Sequence, residues 1–174
     1  MSVHELERHI ALYPDFPKPG ILFRDISPLL ASPEAMRITL KAFKRQIEPY
    51  EPDFFAGIAS RGFLFSTLLA SSFGKGSLLV RKPGKLPGNL IEESYALEYG
   101  VNTLTMQADA PVKGKRVVIL DDLLATGGTV AATAKLLRRL GAEPVAASVV
   151  IELTALKGND AIGMPLISLL KYHD

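Results

Sequence analysis

The sequence predicts an α/β fold with a central, mostly parallel sheet flanked by helices. Three observations carry this. Strand-like apolar runs alternate with segments of helical period along the chain. The clearest run, Lys115-Arg116-Val117-Val118-Ile119-Leu120, is β-branched and does not alternate with polar residues, as expected of a parallel strand covered on both faces. Two of the helical segments are closed by a glycine, Gly74 and Gly141, the residue that most readily takes the left-handed conformation that ends a helix.

In chain order, Ser32-Pro33-Glu34 combines an N-cap, a first-turn proline and a first-turn acid. Met36, Leu40, Phe43 and Ile47 then recur at helical spacing and give that helix a core-facing side, and Pro49 and Pro52 end it. Residues 53–59 read as a buried strand, 62–73 as a helix and 77–80 as a second strand. Residues 82–107 fit neither period: with Gly84, Gly88, Gly100, Pro83, Pro87 and several charges they read as a long excursion or hairpin, the usual form of a lid or binding loop. The strand at 115–120 is expected to end in Asp121-Asp122, followed by a glycine-containing turn, a helix over 129–140 and a further strand over 144–151.

At 174 residues the chain is expected to be a single domain with a full core and no need of covalent staples. Twenty Lys and Arg against 18 Asp and Glu leave a net charge of +2, without the basic excess of a general nucleic-acid binder. There is no cysteine, which excludes disulfides, thiolate nucleophiles and Cys-based metal sites. His4, His9 and His173 lack metal-ligand spacing. No apolar run is long enough to span a bilayer, and residues 1–8 do not read as a signal peptide, so a cytoplasmic protein is expected.

The most informative segment is the strand–Asp–Asp–turn–helix unit at 117–129. Ligands of open α/β sheets bind beyond the carboxyl ends of strands, where this turn lies. Ala125, Thr126, Gly127, Gly128 and Thr129 would present successive backbone N–H groups, two hydroxyls and two close-approach glycines at a helix N-terminus, which makes a phosphate cradle. Asp121 and Asp122 would repel a phosphate; they suit sugar hydroxyls or the hydration shell of Mg²⁺. A lone Asp-Asp or Gly-Gly pair is more simply a strand end or a turn, and it is their combination at one junction that points to a ribose-phosphate site. No Gly-Lys pair is followed by Ser or Thr and no G-x-G-x-x-G occurs, so this is neither a P-loop nor a dinucleotide fingerprint.

Residues 121–129, Asp-Asp-Leu-Leu-Ala-Thr-Gly-Gly-Thr, resemble the phosphoribosyl-pyrophosphate (PRPP) signature of the type I phosphoribosyltransferases, in the form found in the adenine phosphoribosyltransferases. Residues 16–30 resemble that family's purine-site segment, residues 60–65 its pyrophosphate loop, and residues 80–87 with 95–100 its mobile catalytic hairpin. The resemblance runs in consistent order from about Leu6 to the C-terminus. It implies the type I phosphoribosyltransferase fold with a mobile hairpin loop and a small N-terminal hood, the hood at 1–32 and the loop at 82–107.

The resemblance implies a Mg²⁺-dependent pentosyltransferase joining adenine to PRPP to give AMP and pyrophosphate. Arg61 and Glu98 would be catalytic, Arg61 on the pyrophosphate with Ala59 and Ser60, Glu98 as the acid–base carboxylate near adenine N7. Phe23 would stack on the purine, the backbones of Leu22 and Arg24 would read its edge, and Leu123 would cover its other face. Arg81, Lys82 and Lys85 would neutralise the pyrophosphate from the same or a neighbouring subunit of a homodimer, and Tyr99 would join the substrate contacts. Asp121 and Asp122 would clamp the ribose and meet Mg²⁺ through water, with no metal bound directly by the chain.

The residues alone leave plainer readings open. Phe23 reads equally as core, Glu98 as an exposed loop acid, Arg81, Lys82 and Lys85 as a solvated loop, and Arg61 as a surface residue whose charge opposes a helix dipole. At the level of function, a transferase for an oxo-purine and a PRPP-sensing nucleic-acid binder are the rivals. A base panel separates the first. A basic face or an added DNA-binding domain would mark the second.

Overall fold

The computed structural model describes residues 1–97 and 99–174. A 3-10 helix (Val3–His9) leads into an antiparallel hairpin of β1 (Ala11–Pro14) and β2 (Leu22–Asp25), followed by the short helix α1 (Ser27–Ala31). Pro14, Pro17 and Pro19 mask this hairpin from pattern reading, since proline is rare within paired strands. Its turn is held by Asp15 Oδ1, which accepts from Gly20 N at 2.8 Å.

Helix α2 (Pro33–Ile47) begins where the sequence places it: Ser32 Oγ accepts from Ala35 N at 3.2 Å. Ala35, Thr39, Ala42, Phe43 and Ile47 are buried, with Met36 and Leu40 packed beside them. Strand β3 (Phe54–Ile58), helix α3 (Gly62–Phe73), ended by Gly74 at φ +66°, and strand β4 (Gly76–Val80) match the expected elements closely. The excursion is a hairpin of β5 (Leu90–Ala96) and β6 (Val101–Gln107). Its base is fixed by Thr105, whose N and Oγ1 both donate to the Arg81 carbonyl.

Strand β7 (Arg116–Leu124) does not end at Asp121-Asp122; it runs through both to Leu124. The reason is its pairing with β8 (Glu143–Leu153), which continues at Asp121↔Val149, Leu123↔Ile151 and Leu124↔Glu152 after the pairing with β3 has stopped at Gly57↔Leu120. Helix α4 (Gly128–Arg139) crosses between β7 and β8. A short helix, α5 (Gly158–Ile162), and the edge strand β9 (Leu166–Tyr172) complete the chain.

The central sheet has five strands, all parallel, in the order β4-β3-β7-β8-β9. Pleating sends Val118 and Leu120 of β7 into a core with Phe43, Phe65 and Leu69 of α2 and α3, and Val117 and Ile119 into a second core with Val130, Leu136 and Leu137 of α4. The chain leaves β3 toward one edge over one face and leaves β7 toward the other edge over the opposite face. The two carboxyl ends therefore flank a topological switch point, the place where α/β sheets open a ligand crevice.

Candidate active site

A cleft of about 530 Å³ opens at that switch point, within the size range of small-molecule sites. The loop after β3, the end of β7, the turn into α4 and strand β2 line it. The Ala59–Ser60 peptide in the first loop is cis. The loop turns into α3 at Gly62, where a Cβ would lie 2.5 Å from the Leu120 carbonyl oxygen. Only glycine allows this approach, which sets Arg61 against the carboxylates of β7.

Because β7 continues through Asp121 and Asp122, its pleat starts the two side chains on opposite faces of the strand. Asp122, on the α3 side, is buried, and its Oδ2 accepts from Arg61 Nε at 2.5 Å. Arg61 itself is 51% exposed and its guanidinium carbon lies 5.8 Å from the Phe23 ring centre. Pairing with Asp122 offsets the unfavourable placement of a cation at the start of α3. Asp122 N donates to Asp121 Oδ1 at 2.8 Å. Burial first, and the neighbouring Asp122 carboxylate second, push the Asp121 carboxyl well above the ordinary range.

That shift has a sign for stability. A carboxyl whose pKa is raised in the folded state favours folding fully below its ordinary value, and this contribution is lost as pH rises through the raised value. We expect Asp121→Asn to raise the Tm of the ligand-free protein near neutral pH, and to raise it less near pH 4. Scanning fluorimetry at both pH values checks this; a lower Tm at neutral pH would contradict it.

Beyond Leu124, Ala125 to Thr129 wrap the start of α4, and all five residues line the cleft. Gly127, the N-cap, has φ +87°, and a Cβ there would stand 2.6 Å from the Gly158 carbonyl oxygen. Gly158 is equally constrained, since its Cβ would meet the Ala125 carbonyl oxygen at 2.4 Å. The turn and the start of α5 are thus pressed together backbone to backbone. Gly128 is covered by the hairpin: its Cβ would fall 2.7 Å from Tyr95 Cδ2.

The opposite wall is Ile21, Leu22, Phe23 and Arg24. Phe23 is half-buried and packs edge-on against Phe16 at 5.2 Å, so it is not a core residue. Among the described residues strand β2 pairs only with β1, which leaves the backbone groups of its other edge open. The Arg24 side chain turns away, buried against Tyr172 and Asp174.

The structure therefore brings together Leu22, Phe23, Arg24, Ala59, Ser60, Arg61, Asp121, Asp122, Leu123 and residues 125–129. It does not bring Arg81, Lys82, Lys85 or Tyr99 to the cleft lining. Arg81 is half-buried and donates from Nη1 to the Lys85 carbonyl at 3.2 Å, Lys82 and Lys85 are exposed, and Tyr99 is 87% exposed. Glu98 lies outside the described residues. Ile21, Ile58, Tyr95, Leu97 and Leu153 also line the cleft, although no chemistry in the sequence marks them as site residues. All but Leu153 sit in or beside segments that resemble family motifs; Leu153 carries no local signal.

Among the described residues no group of three or more His, Cys, Asp or Glu is placed to hold a metal ion. Two adjacent carboxylates fit a hydrated divalent cation that brings oxygen ligands of its own. Among the described residues no helix is long and apolar enough to cross a membrane.

Comparison with known proteins agrees with this geometry. The phosphoribosyl transferase domain family matches residues 27–163. The chain is 50% identical over 170 residues to the adenine phosphoribosyltransferase of Gluconacetobacter diazotrophicus, covering 98% of this chain and 97% of that one. It superposes with a TM-score of 0.95 on the crystal structure of the adenine phosphoribosyltransferase from Thermoanaerobacter pseudethanolicus, at 42% identity, covering 98% and 100% of the two chains. It superposes with a TM-score of 0.92 on the Saccharomyces cerevisiae enzyme complexed with an imino-altritol bisphosphate and adenine, at 38% identity, covering 97% and 98%. The chain belongs to the phosphoribosyltransferase family and, within it, to the adenine phosphoribosyltransferases.

Proposed function

We propose that this cleft transfers the 5-phosphoribosyl group of PRPP to adenine, giving AMP and pyrophosphate, with the following division of work. The observation that carries the reading is the convergence, in one cleft, of a helix-N-terminal amide turn, a carboxylate pair, an arginine and an aromatic strand whose backbone edge is open.

The backbone amides of Ala125 to Thr129 hold the 5-phosphate at the start of α4, where the helix dipole favours it. The ribose hydroxyls donate to Asp121 and Asp122; Arg61 occupies one oxygen of Asp122, and a carboxylate has acceptor capacity to spare. At the transition state C1′ is oxocarbenium-like and negative charge grows on the departing pyrophosphate. Arg61, already oriented by Asp122, directs its remaining N–H groups at that charge, beside Ala59 and Ser60. Asp121 and Asp122 would hold the Mg²⁺ carried by PRPP through water, and the ion would supply positive charge at the leaving group.

Adenine lies between Phe23 and Leu123. Its N6 amino donates to one backbone carbonyl of the Leu22–Arg24 stretch and its N1 accepts from a backbone N–H there. An oxo-purine reverses that pattern and leaves buried groups unpaired, which is strongly discriminating. Glu98 takes the proton from adenine N7 as N9 bonds to C1′ and the C1′–O bond to pyrophosphate breaks. The hairpin closes over the site, bringing Arg81, Lys82, Lys85 and Tyr99 to the substrate.

The chain reads as one domain, with residues 1–32 as hood and 82–107 as catalytic loop. Homodimerisation through α3 and the edge strand β4, where Leu64, Leu68 and Leu79 are exposed, completes the reading, and sedimentation equilibrium at twice the chain mass is its test. A cytoplasmic location suits the absence of cysteine.

Purified protein with Mg²⁺, PRPP and adenine is expected to yield AMP; no turnover at saturating substrates overturns the reading. Glu98→Gln is expected to lower kcat by ~10²–10⁴-fold while changing the PRPP KM little, as loss of a general acid–base does. An unchanged kcat removes Glu98 from the chemistry.

A further inference from the structure

The hood strand β2 is tied to the rest of the molecule by an unusual route. Arg24, whose backbone stands in the cleft wall, sends its side chain in the opposite direction into a site where it is only 5% exposed. There its guanidinium carbon lies 4.3 Å from the centre of the Tyr172 ring, and Nη2 donates to Asp174 Oδ1 at 2.5 Å. Nε is buried without a partner, so Asp174 is the one ion-pair partner of this guanidinium among the described residues.

The residues that receive Arg24 are themselves anchored at the cleft. Thr154 Oγ1 donates to the Tyr172 carbonyl at 3.1 Å and shares a hydrogen bond of 2.6 Å with His173 Nδ1. Thr154 directly follows Leu153, the last residue of β8 and a lining residue of the cleft. Residues 172–174 thus bridge the carboxyl end of the sheet and the hood. Among the described residues strand β2 pairs with β1 alone, and this bridge ties the Arg24 side chain to the sheet.

We propose that Tyr172 and Asp174 are positioning residues for adenine: they hold Arg24, and through it set the distance between the open backbone edge of β2 and the ribose-phosphate turn. A buried guanidinium cannot shift without leaving its charge unpaired, so β2 stands where its partners hold it. Neither residue touches the reacting atoms. Their influence is expected on base binding and not on PRPP, whose proposed contacts lie on the loop after β3, at the end of β7, on the turn into α4 and on the hairpin.

This inference rests on the reading that the backbone of Leu22 and Arg24 meets the purine edge, and the experiment separates the two. Steady-state kinetics of the full chain, Asp174→Ala and Asp174→Asn are measured with adenine and PRPP varied in turn, together with amide hydrogen exchange at residues 22–25. Asp174→Ala is expected to raise the adenine KM by about three- to tenfold, the scale of one lost charge-assisted hydrogen bond to a buried partner, discounted for the exposure of Asp174. The PRPP KM should stay within about twofold. Asp174→Asn, which keeps an acceptor oxygen, should recover part of the loss. Exchange should quicken at residues 22–25 and not along β7. An unchanged adenine KM, or an equal rise in both KM values, overturns the proposal. Should the unaltered chain fail to turn over adenine, the functional reading falls, and exchange at residues 22–25 alone decides whether the bridge holds β2.

Discussion

Replacing Gly127 with alanine is expected to raise the PRPP KM by about 100-fold, equivalent to roughly 2.7 kcal/mol of lost ground-state binding. Two penalties coincide at this position. Its φ of +87° is one that a Cβ opposes, at a cost of ~1–2 kcal/mol. The new atom would also stand 2.6 Å from the Gly158 carbonyl oxygen, with Ala161 Cβ at 3.3 Å behind it. The clash is with backbone, so the turn itself must move, and its N–H groups are the ones proposed to hold the 5-phosphate. Gly163→Ala is the control: φ is +66° there too, but nothing lies within 4 Å of the place its methyl group would take. It should lose stability by a similar backbone term and keep its PRPP KM. Equal KM values for the two variants would show that the turn does not hold the phosphate.

Arg61→Ala is expected to lower kcat/KM for PRPP by ~10²–10³-fold, the loss typical of removing one preorganised donor from developing negative charge. Some loss of stability should accompany it, because Arg61 is half open to water but Asp122 is 8% exposed and is left without its cation. Arg61→Lys should rescue little. Arg61 reaches Asp122 with Nε and keeps the two Nη groups for a second anion, whereas an ammonium is a single point charge that cannot span both. Full activity in Arg61→Lys would mean that charge alone suffices and that the orientation supplied by Asp122 is idle.

Helices α2, α3 and α4 and strands β3, β4, β7 and β8 were legible because their signals are local. Ser32 caps α2, Gly74 stops α3, and the run from Val117 to Leu120 has the uniform apolarity of a doubly covered strand. What was not legible depends on pairing between distant residues. Strand β7 extends past its first aspartate because β8 is longer than β3, and nothing near Asp121 announces that. The β1–β2 hairpin is obscured by its prolines, and β9 becomes a strand by adding to the open edge of β8.

The site divides in the same way. Arg61, Asp121, Asp122 and the turn at 125–129 stand in contiguous motifs whose chemistry is visible residue by residue. The packing of Gly158 on Gly127, of Tyr95 on Gly128, and of Asp174 on Arg24 joins positions 31, 33 and 150 residues apart, a relation that spacing along the chain does not express. The net charge of +2 likewise hides the arrangement that matters, an arginine and an aspartate of opposite sign meeting at 2.5 Å in the lining of the cleft.

A crystal structure of the protein with AMP bound tests the central claim most directly, because one ligand probes all three subsites. The phosphate should rest on the backbone N–H groups of residues 125–129, the ribose hydroxyls against Asp121 and Asp122, and the purine between Phe23 and Leu123 with its N6–N1 edge on the backbone of β2. A purine seated away from Phe23, or a phosphate bound by side chains elsewhere in the cleft, would contradict the account.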